Sequence, residues 1–425
     1  MQKISQSRQT KFDASTFQLS NGLTIIHQHL PATSVVVSDI WVKAGAIAEP
    51  EAWSGMAHFL EHMIFKGSPN VMVGEFDWLI ENTGGVANAA TSYDYAHFYL
   101  TTAAAHLEQT LPCLADILLR ANIPDDEFLR EREVVIEEIL SSYDDPDFLG
   151  YQALCQNAYQ RHPYRRSILG EQELLLEHTP NQMRCFHRTH YQPENMTIVI
   201  VGGIEQERAL NLVYENFSDF CVRSECPPTK IEIEPPVTSI RRQELYLPRI
   251  EQARLLIAWI CPGSESLEEA ISLDLIALIL TGGRSSGLVR ELREERQLVM
   301  DIDCSLSLQK DSSLFSIGAL LETEHIDMVE KMICDRLSQL HARLIPDAEV
   351  ASAKRQLIND YIFSTETPSQ LASVYGFYSI VATAAHSALY PQIINRLQPE
   401  ELMAIAQKYL SPEHYAVTIL KPKIS

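Results

Sequence analysis

Two histidines and a glutamate stand close together early in the sequence, in the order His58-Phe59-Leu60-Glu61-His62. On a helix, a separation of four residues puts both imidazoles on one face, one turn apart. Neutral imidazoles are good zinc ligands, and a catalytic zinc site takes three protein ligands and leaves one position for water. Glu61 can accept a proton from that water without binding the metal. The segment therefore predicts a zinc centre with Glu61 as general base, although each of these residues alone is more often a solvated surface group.

A third ligand has to come from another element, and the acidic segment at residues 131–138 is the best candidate. Because Glu131 and Glu138 are seven residues apart, they share one face of a helix. We expect Glu138 to bind the metal and Glu131, two turns away, to orient a ligand or the water. By spacing alone Glu133 or Glu137 would serve as well, and an acidic helix face is most often simply solvated.

The composition describes an ordinary globular protein and excludes some classes of function. Of the 425 residues, 46% are hydrophobic and 21% are charged, and no segment has the bias of a disordered region. The net charge of −22 argues against a nucleic-acid partner, because phosphate contacts need a surplus of Lys and Arg. The acidic balance favours basic or extended peptides as partners, or simply keeps a large protein in solution.

Neither a membrane span nor a disulfide framework is expected. The apolar runs at residues 34–42 and 196–204 fall short of the roughly 18–20 residues that a membrane helix needs. The first ten residues are polar and lack the apolar segment of a secretory signal. The eight cysteines include no CxxC pair, which is typical of separate thiols in a reducing compartment. We expect a cytoplasmic protein.

The sequence contains an internal repeat. The apolar segment at residues 35–45 has a counterpart 218 residues later, at 253–263. The Ile-Pro-Asp that opens a helical pattern at 123–125 has a counterpart 222 residues later, at 345–347. Matches so nearly in register predict two similarly folded halves.

The repeat and the turn residues define expected domains. We predict a zinc-binding N-terminal domain at residues 1–226, a Pro-rich polar linker at 227–239, and a similar C-terminal domain without metal ligands at 240–425. In the first half, Asn21-Gly22 predicts a hairpin. The other patterns predict helices at 54–66, 74–83, 105–120, 125–142 and 146–160, and strands at 86–92 and 96–102. Consecutive strands beside runs of helices indicate an α+β fold with helices on one side of each sheet.

The HFLEH segment is followed, 76 residues after His62, by the last glutamate of Glu-Arg-Glu-Val-Val-Ile-Glu-Glu. This combination resembles the inverted-motif zinc peptidases of the pitrilysin and insulinase type. The chain is most similar to mitochondrial processing peptidase and its short-chain bacterial relatives, over about residues 15–420. The resemblance implies two homologous halves, each a mainly antiparallel sheet packed against helices. It also implies that His58, His62 and Glu138 hold zinc, that Glu61 is the base, and that Glu131 assists.

The resemblance also implies a substrate-binding role for residues 84–91. In that family an edge strand here pairs with an extended peptide through its main chain. Asn88 and Ala89 are the substrate-binding positions that this implies. From the residues alone, the segment is only a strand punctuated by glycines.

The second half keeps the repeated segments but not the metal ligands. The three positions that correspond to the motif histidines and glutamate hold Ile276, Ile279 and Leu280. The position that corresponds to Glu138 holds Asp360. We therefore expect a single zinc centre, in the first half.

The second half also lacks one residue that the resemblance implies. In the resembling enzymes an Arg and a Tyr, seven residues apart, hydrogen-bond the substrate carbonyl as it becomes an oxyanion. This sequence keeps Arg293 but has Met300 in place of the Tyr. Because a missing oxyanion donor costs about 10²–10³ in rate, we hypothesise a heterodimer in which a homologous zinc-less chain supplies both residues. A weakly active homodimer is the alternative.

These patterns together predict a zinc endopeptidase subunit. Its substrate would be an unfolded peptide, enclosed in a chamber that two subunits form. A non-proteolytic binding or scaffold subunit of the same fold is the alternative. A third hypothesis is a zinc hydrolase that acts on something other than peptides.

Overall fold

The structure, a computed structural model, describes residues 2–3 and 12–423. Its strands are β1 (Gln2–Lys3), β2 (Ser15–Gln18), β3 (Thr24–His29), β4 (Val35–Val42), β5 (Val86–Thr91), β6 (Ala96–Ala103), β7 (Met196–Gly202), β8 (Arg241–Leu247), β9 (Ala253–Pro262), β10 (Val299–Ser307), β11 (Ser312–Leu321) and β12 (Ala416–Pro422). Its helices are α1 (Met56–Ile64), α2 (Glu75–Asn82), α3 (Leu107–Leu119), α4 (Asp125–Ser142), α5 (Pro146–Ala158), α6 (Gln172–Glu177), α7 (Pro180–His190), α8 (Gln206–Asn216), α9 (Leu267–Thr281), α10 (Ile326–Ala342), α11 (Asp347–Phe363), α12 (Pro368–Val381), α13 (Tyr390–Arg396) and α14 (Pro399–Tyr409). Within these described residues, no helix is long and apolar enough to cross a membrane.

The first hairpin forms where the sequence predicts it. Gly22 has a φ of +99°, in the left-handed region that glycine occupies without strain. The side chain of Asn21 accepts a hydrogen bond of 3.2 Å from the backbone N–H of Leu23. The backbone N–H of Leu19 donates to the carbonyl of Leu23 at 2.9 Å. β2 and β3 consequently pair as antiparallel strands.

The first sheet has the strand order β1-β2-β3-β7-β4-β6-β5 in the described residues. Its neighbours are antiparallel except β3 and β7, which are parallel. The central strands β4 and β7 are buried along almost their whole length. β5 lies at the edge, so one side of its backbone has no neighbouring strand among the described residues.

The second sheet has the order β10-β11-β9-β12-β8 in the described residues. This order and its strand directions repeat those of β5-β6-β4-β7-β3 in the first sheet. In each of these two sets of five strands, only the last pair is parallel. The repeated segments at residues 35–45 and 253–263 form the equivalent strands β4 and β9. The predicted α+β fold of two homologous halves is therefore confirmed.

Contacts between residues divide the chain into two compact units that are not continuous in sequence. The first comprises Met1–Leu140, Ser167–Ile231 and Phe363–Ala388, and the second comprises Ser141–Arg166, Glu232–Ile362 and Leu389–Ser425. The first unit thus includes α12 from the C-terminal half, and the second includes α5 from the N-terminal half. Residues 219–240, which contain the expected linker, form neither helix nor strand. The expected domain boundaries at residues 226 and 240 stay a prediction.

α12 corrects the expectation that helices lie on one side of each sheet. Ile40 and Val42 of β4 pack into the core that contains α1 and α3. Because side chains alternate along a strand, Trp41 points to the opposite face, where α12 packs on β4 and β7. A Cβ added to Gly376 of α12 would lie 1.9 Å from Nε1 of Trp41. The apolar residues on both faces of β4 are the physical reason, since each face has to be covered.

Two cysteines that the sequence pattern presents as separate thiols lie close together in the first unit. Sγ of Cys185, on α7, is 3.3 Å from Sγ of Cys226. The hydroxyl of Thr189 donates a hydrogen bond of 3.2 Å to the Cys226 thiol. Burial raises the pKa of Cys226 to about 12, so this thiol is protonated at neutral pH. A separation of 41 residues gives no sequence signal for the contact.

Candidate metal centre

A buried carboxylate fixes the start of α1, the helix that carries the HFLEH segment. Glu49 accepts hydrogen bonds from the backbone N–H groups of Gly55, at 3.0 Å, and Ala57, at 2.8 Å. These are donors that a helix N-terminus otherwise leaves unpaired. Gly55 has a φ of +87°, and a Cβ there would lie 2.7 Å from the carbonyl oxygen of Leu169. Only glycine fits this position, so the helix has a defined first residue.

An aromatic contact places α1 beside α4. Phe59 and Met63 of α1 are fully buried in the core of the first unit. The ring of Phe59 packs 4.6 Å from the ring of Phe128 on α4, measured between centroids. This contact lets the polar residues of the motif reach the carboxylates of α4.

The structure brings His58, His62 and Glu138 together in the first unit. Oε2 of Glu138 lies 3.7 Å from Nε2 of His58 and 3.4 Å from Nε2 of His62, and one ligand atom of each residue lies within 4.8 Å of the others. Ligands about 2.0–2.1 Å from a tetrahedral zinc ion are separated by about 3.3–3.4 Å. The donor set of two imidazoles and one carboxylate therefore fits zinc. Across residues 12–423, no other group of three His, Cys, Asp or Glu side chains meets this distance criterion.

His58 is held in the neutral state that a metal ligand needs. Burial, together with the nearby His62, lowers its pKa to about 3. Its Nδ1 atom is buried and has no hydrogen-bond partner in the described part of the chain. Because a protonated imidazole cannot ligate a metal, this environment favours metal binding at neutral pH.

Glu131 orients His62 from the side away from the cluster. Its Oε1 atom lies 3.0 Å from Nδ1 of His62, and its Oε2 atom lies 2.6 Å from Nζ of Lys66. Burial alone would raise the pKa of Glu131, but hydrogen bonds from Lys66 and His62 and the charges of both hold the pKa below its usual value. An ionised carboxylate only accepts hydrogen bonds, so the proton of His62 lies on Nδ1. Nε2 of His62 is then free to bind a metal.

Glu61 lies next to His62 on α1 and is anchored by β5. The hydroxyl of Thr91 donates a hydrogen bond of 2.6 Å to Oε2 of Glu61. Burial raises the pKa of Glu61, and the bond from Thr91 opposes this only in part. A raised pKa makes Glu61 a stronger base than an exposed glutamate.

The expected substrate-binding residues Asn88 and Ala89 lie on β5, the edge strand that contacts α1. They pair with Tyr99 and Phe98 of β6. The backbone N–H of Ala89 donates to the side-chain oxygen of Asn88 at 2.9 Å. Asn88 is exposed. These two residues therefore belong to the same unit as the metal cluster.

Arg293, the other expected substrate-binding residue, belongs to the second unit. It lies in a π-helical segment, Val289–Glu295. Its guanidinium contacts carboxylates of Glu294, at 3.2 Å, and Asp301, at 3.1 Å. Met300, in the position where the resembling enzymes have Tyr, is 48% exposed. Its thioether cannot donate a hydrogen bond.

Two residues that contact the site, Lys66 and Thr91, are not predicted by the patterns in the sequence. Lys66 follows His62 by one helical turn, but α1 ends at Ile64, so helical periodicity does not predict its direction. Thr91 is the last residue of β5, and only the tertiary contact of β5 with α1 brings it to Glu61. A basic residue one turn after the second histidine was the available signal for Lys66.

Comparison with protein families agrees with this geometry. The model described as insulinase (peptidase family M16) matches residues 24–172. The model described as the peptidase M16 inactive domain matches residues 178–357. The chain therefore belongs to the insulinase family, peptidase family M16, as the resemblance implies.

Individual relatives extend over nearly the whole chain. The zinc protease PqqE of Helicobacter pylori is 28% identical over 408 residues, which cover 95% of this chain and 92% of that protein. The crystal structure of a protease from Helicobacter pylori has a TM-score of 0.90 and 27% identity, covering 96% of this chain and 99% of that one. The periplasmic protease PqqL from Escherichia coli has a TM-score of 0.81 and 17% identity; the match covers 98% of this chain but 48% of that chain.

Proposed function

We propose that the chain is a zinc-dependent endopeptidase subunit that hydrolyses extended or unfolded peptides. The observation that carries the proposal is the convergence of His58, His62 and Glu138. Glu61 lies on the same helix as the two histidines. Membership of peptidase family M16 and relatives named zinc proteases support it.

The proposed chemistry divides between the metal and Glu61. Zinc, held by His58, His62 and Glu138, would act as a Lewis acid that polarises the scissile carbonyl and makes a nearby water more acidic. Glu61 removes the proton of the attacking water and can pass it to the leaving amine. Because Thr91 holds Oε2 of Glu61, Oε1 is the oxygen left to face the water.

The edge strand β5 supports an extended peptide as the substrate. A peptide can add to an edge strand through main-chain hydrogen bonds, and Asn88 and Ala89 are the proposed contact positions. The N–H of Ala89 bonds to the side chain of Asn88, so the incoming peptide has to replace that bond. The proposed chamber of two subunits excludes folded proteins by size, which restricts the substrate to unfolded chains.

The proposed enzyme is a heterodimer with a homologous zinc-less chain. Arg293 is engaged by two carboxylates and Met300 offers no donor, so this chain lacks an Arg and Tyr pair for the oxyanion. A partner chain that carries both residues would complete the site. The match to less than half of the Escherichia coli chain supports pairing, since that polypeptide has the length for two such folds. A homodimer is the alternative.

In this proposal the N-terminal domain, residues 1–226, binds zinc, and the C-terminal domain, residues 240–425, repeats the fold without metal ligands. The alternative is a non-proteolytic binding or scaffold subunit. The one observation that favours it is the description of the model for residues 178–357 as an inactive domain. That match lies mostly in the half that carries no metal ligands, so it does not bear on the cluster in the first unit.

Zinc content and peptide cleavage together test the proposal. We expect the purified chain to bind about one zinc ion and, with its partner, to cleave a quenched fluorescent peptide. Glu61→Gln should keep the zinc and lose cleavage, because the amide cannot act as a base. Zinc binding with cleavage that does not depend on Glu61 would refute the mechanism, and zinc without cleavage would favour the scaffold.

A further inference from the structure

Lys66 reaches the metal cluster indirectly, through Glu131. Its Nζ atom lies 2.6 Å from Oε2 of Glu131, whose other oxygen lies 3.0 Å from Nδ1 of His62. Each oxygen of one carboxylate thus has its own cationic or donor partner. Lys66 is therefore connected to a proposed metal ligand by two consecutive hydrogen bonds.

The pair of Lys66 and Glu131 is shielded from solvent. Their side chains are 25% and 12% exposed, respectively. The side chains of a surface pair in this chain, Lys331 and Asp335, are 74% and 55% exposed at the same distance of 2.6 Å. Exposed ion pairs contribute little to stability. Removal of one partner of a shielded pair, in contrast, leaves an uncompensated charge. Loss of Lys66 should therefore disturb Glu131 much more than loss of Lys331 disturbs Asp335.

The backbone around Lys66 is fixed independently of the metal. The N–H of Lys66 bonds to the carbonyl of Met63 at 3.1 Å. The carbonyl of Gly67 accepts a hydrogen bond of 3.0 Å from Asn122, and the hydroxyl of Ser68 donates to buried Asp116. The ammonium group is consequently presented to Glu131 from a defined position rather than from a mobile loop.

Lys66 limits the directions in which Glu131 can turn. With Oε2 held by the ammonium, Oε1 remains aimed at Nδ1 of His62, and the imidazole keeps Nε2 towards Glu138, 3.4 Å away. Without Lys66, the carboxylate could rotate away from Nδ1, and it would then orient His62 less firmly. Groups that orient metal ligands typically change metal affinity by about 10–100-fold.

We propose that Lys66 is a positioning residue, which holds Glu131 so that His62 is aligned for zinc. The inference rests on the proposed zinc site, because His62 must be a ligand for its alignment to matter. Lys66 takes no part in proton transfer, and its effect passes entirely through Glu131.

A double-mutant cycle on zinc affinity tests this path. Affinity is measured by competition with a chromogenic chelator in the unaltered chain, Lys66→Met, Glu131→Gln and the double variant. We expect Lys66→Met to weaken zinc binding by about tenfold, at the lower end of the range for such residues. In the Glu131→Gln background, Lys66→Met should cause no further loss, because coupled residues are not additive. Equal affinity in Lys66→Met and the unaltered chain, or independent losses that add, would overturn the inference.

Two further variants separate positioning from general stability. Lys331→Met is the matched control and should leave zinc affinity unchanged. Lys66→Arg keeps the charge and should retain affinity to within about threefold, whereas Lys66→Gln should behave like Lys66→Met. Melting curves of the zinc-free proteins show whether any variant fails to fold. If Lys66→Met fails to fold, the comparison of Lys66→Arg with Lys66→Gln decides. No zinc binding by the unaltered chain would instead refute the proposed function itself, and the inference with it.

Discussion

At the scale of single residues, the hydroxyl of Thr91 and the carboxylate of Glu61 form a hydrogen bond of 2.6 Å. Such a bond favours the charged carboxylate and lowers its pKa. Burial acts in the opposite direction and is the larger effect, so the pKa of Glu61 is raised overall. Burial and this bond are therefore the two largest contributions to the strength of the proposed base.

Thr91→Val removes the donor and keeps the shape of the side chain. We expect the pKa of Glu61 to rise further, because the bond that favours its charged form is lost. A general base has to be deprotonated to act, so the acid limb of the kcat/KM profile should move to higher pH. Activity on that limb should fall about tenfold for each pKa unit.

Thr101→Val, on β6, is the matched control for this experiment. It should leave the pH profile unchanged, and both variants should keep their zinc. A profile that does not move in Thr91→Val would show that the Thr91 hydroxyl does not tune the base.

Some site residues could be predicted at this scale and others could not. The spacing of His58 and His62 was sufficient to pair them. Glu138 could not be separated from Glu133 and Glu137 by spacing, because the choice depends on how α4 is rotated against α1. The packing of Phe128 against Phe59 sets that rotation. This packing is a contact between two helices, so the spacing within either helix alone does not predict it.

At the scale of elements, hydrophobic periodicity and turn residues predicted most of the helices and the hairpin, which form from residues close in sequence. The hairpin at Asn21-Gly22 and the helices α1 to α5 form within a few residues of the predicted positions. The assignment of α12 to the first sheet could not be predicted, because α12 is far from β4 in sequence. The apolar residues on both faces of β4 and β7 indicate only that a second layer exists, and not which helix supplies it.

Gly376→Ala tests the packing of α12 on the first sheet. Alanine is the better helix former by about 1 kcal/mol, so propensity alone would stabilise the variant. A Cβ at this position would lie 1.9 Å from Nε1 of Trp41, and overpacking typically costs about 1–3 kcal/mol. We expect a net decrease in the free energy of unfolding, measured by urea denaturation.

Ser373→Ala, at an exposed position of the same helix, is the control and should be neutral or slightly stabilising. If Gly376→Ala were as stable as Ser373→Ala, the close approach of α12 to Trp41 would be disproved.

At the scale of the whole molecule, the repeat has kept its fold in both halves, while among the described residues only one half carries the cluster. The second sheet preserves the strand order of the first, yet the motif positions on α9 hold buried aliphatic residues. A half without a metal can still bind substrate or stabilise an oxyanion. Met300 cannot donate a hydrogen bond to an oxyanion in this chain. The proposed assembly therefore includes a second, different chain.

We expect the purified chain alone to cleave a quenched peptide slowly. Addition of a homologous zinc-less chain that has the Arg and Tyr pair should raise kcat by about 10²–10³, the typical effect of an oxyanion donor. The same partner with its Tyr changed to Phe should give little increase. Full activity from the lone chain would refute the heterodimer.

The proposed function depends most on whether His58, His62 and Glu138 form one zinc site. Anomalous diffraction at the zinc absorption edge, from crystals of the chain grown with zinc, locates the ion directly. We predict one strong peak about 2.0–2.2 Å from Nε2 of both histidines and from a carboxylate oxygen of Glu138. The peak should disappear in Glu138→Gln and persist in Glu137→Gln. A zinc peak elsewhere, or one that survives in Glu138→Gln, would contradict the proposed zinc site.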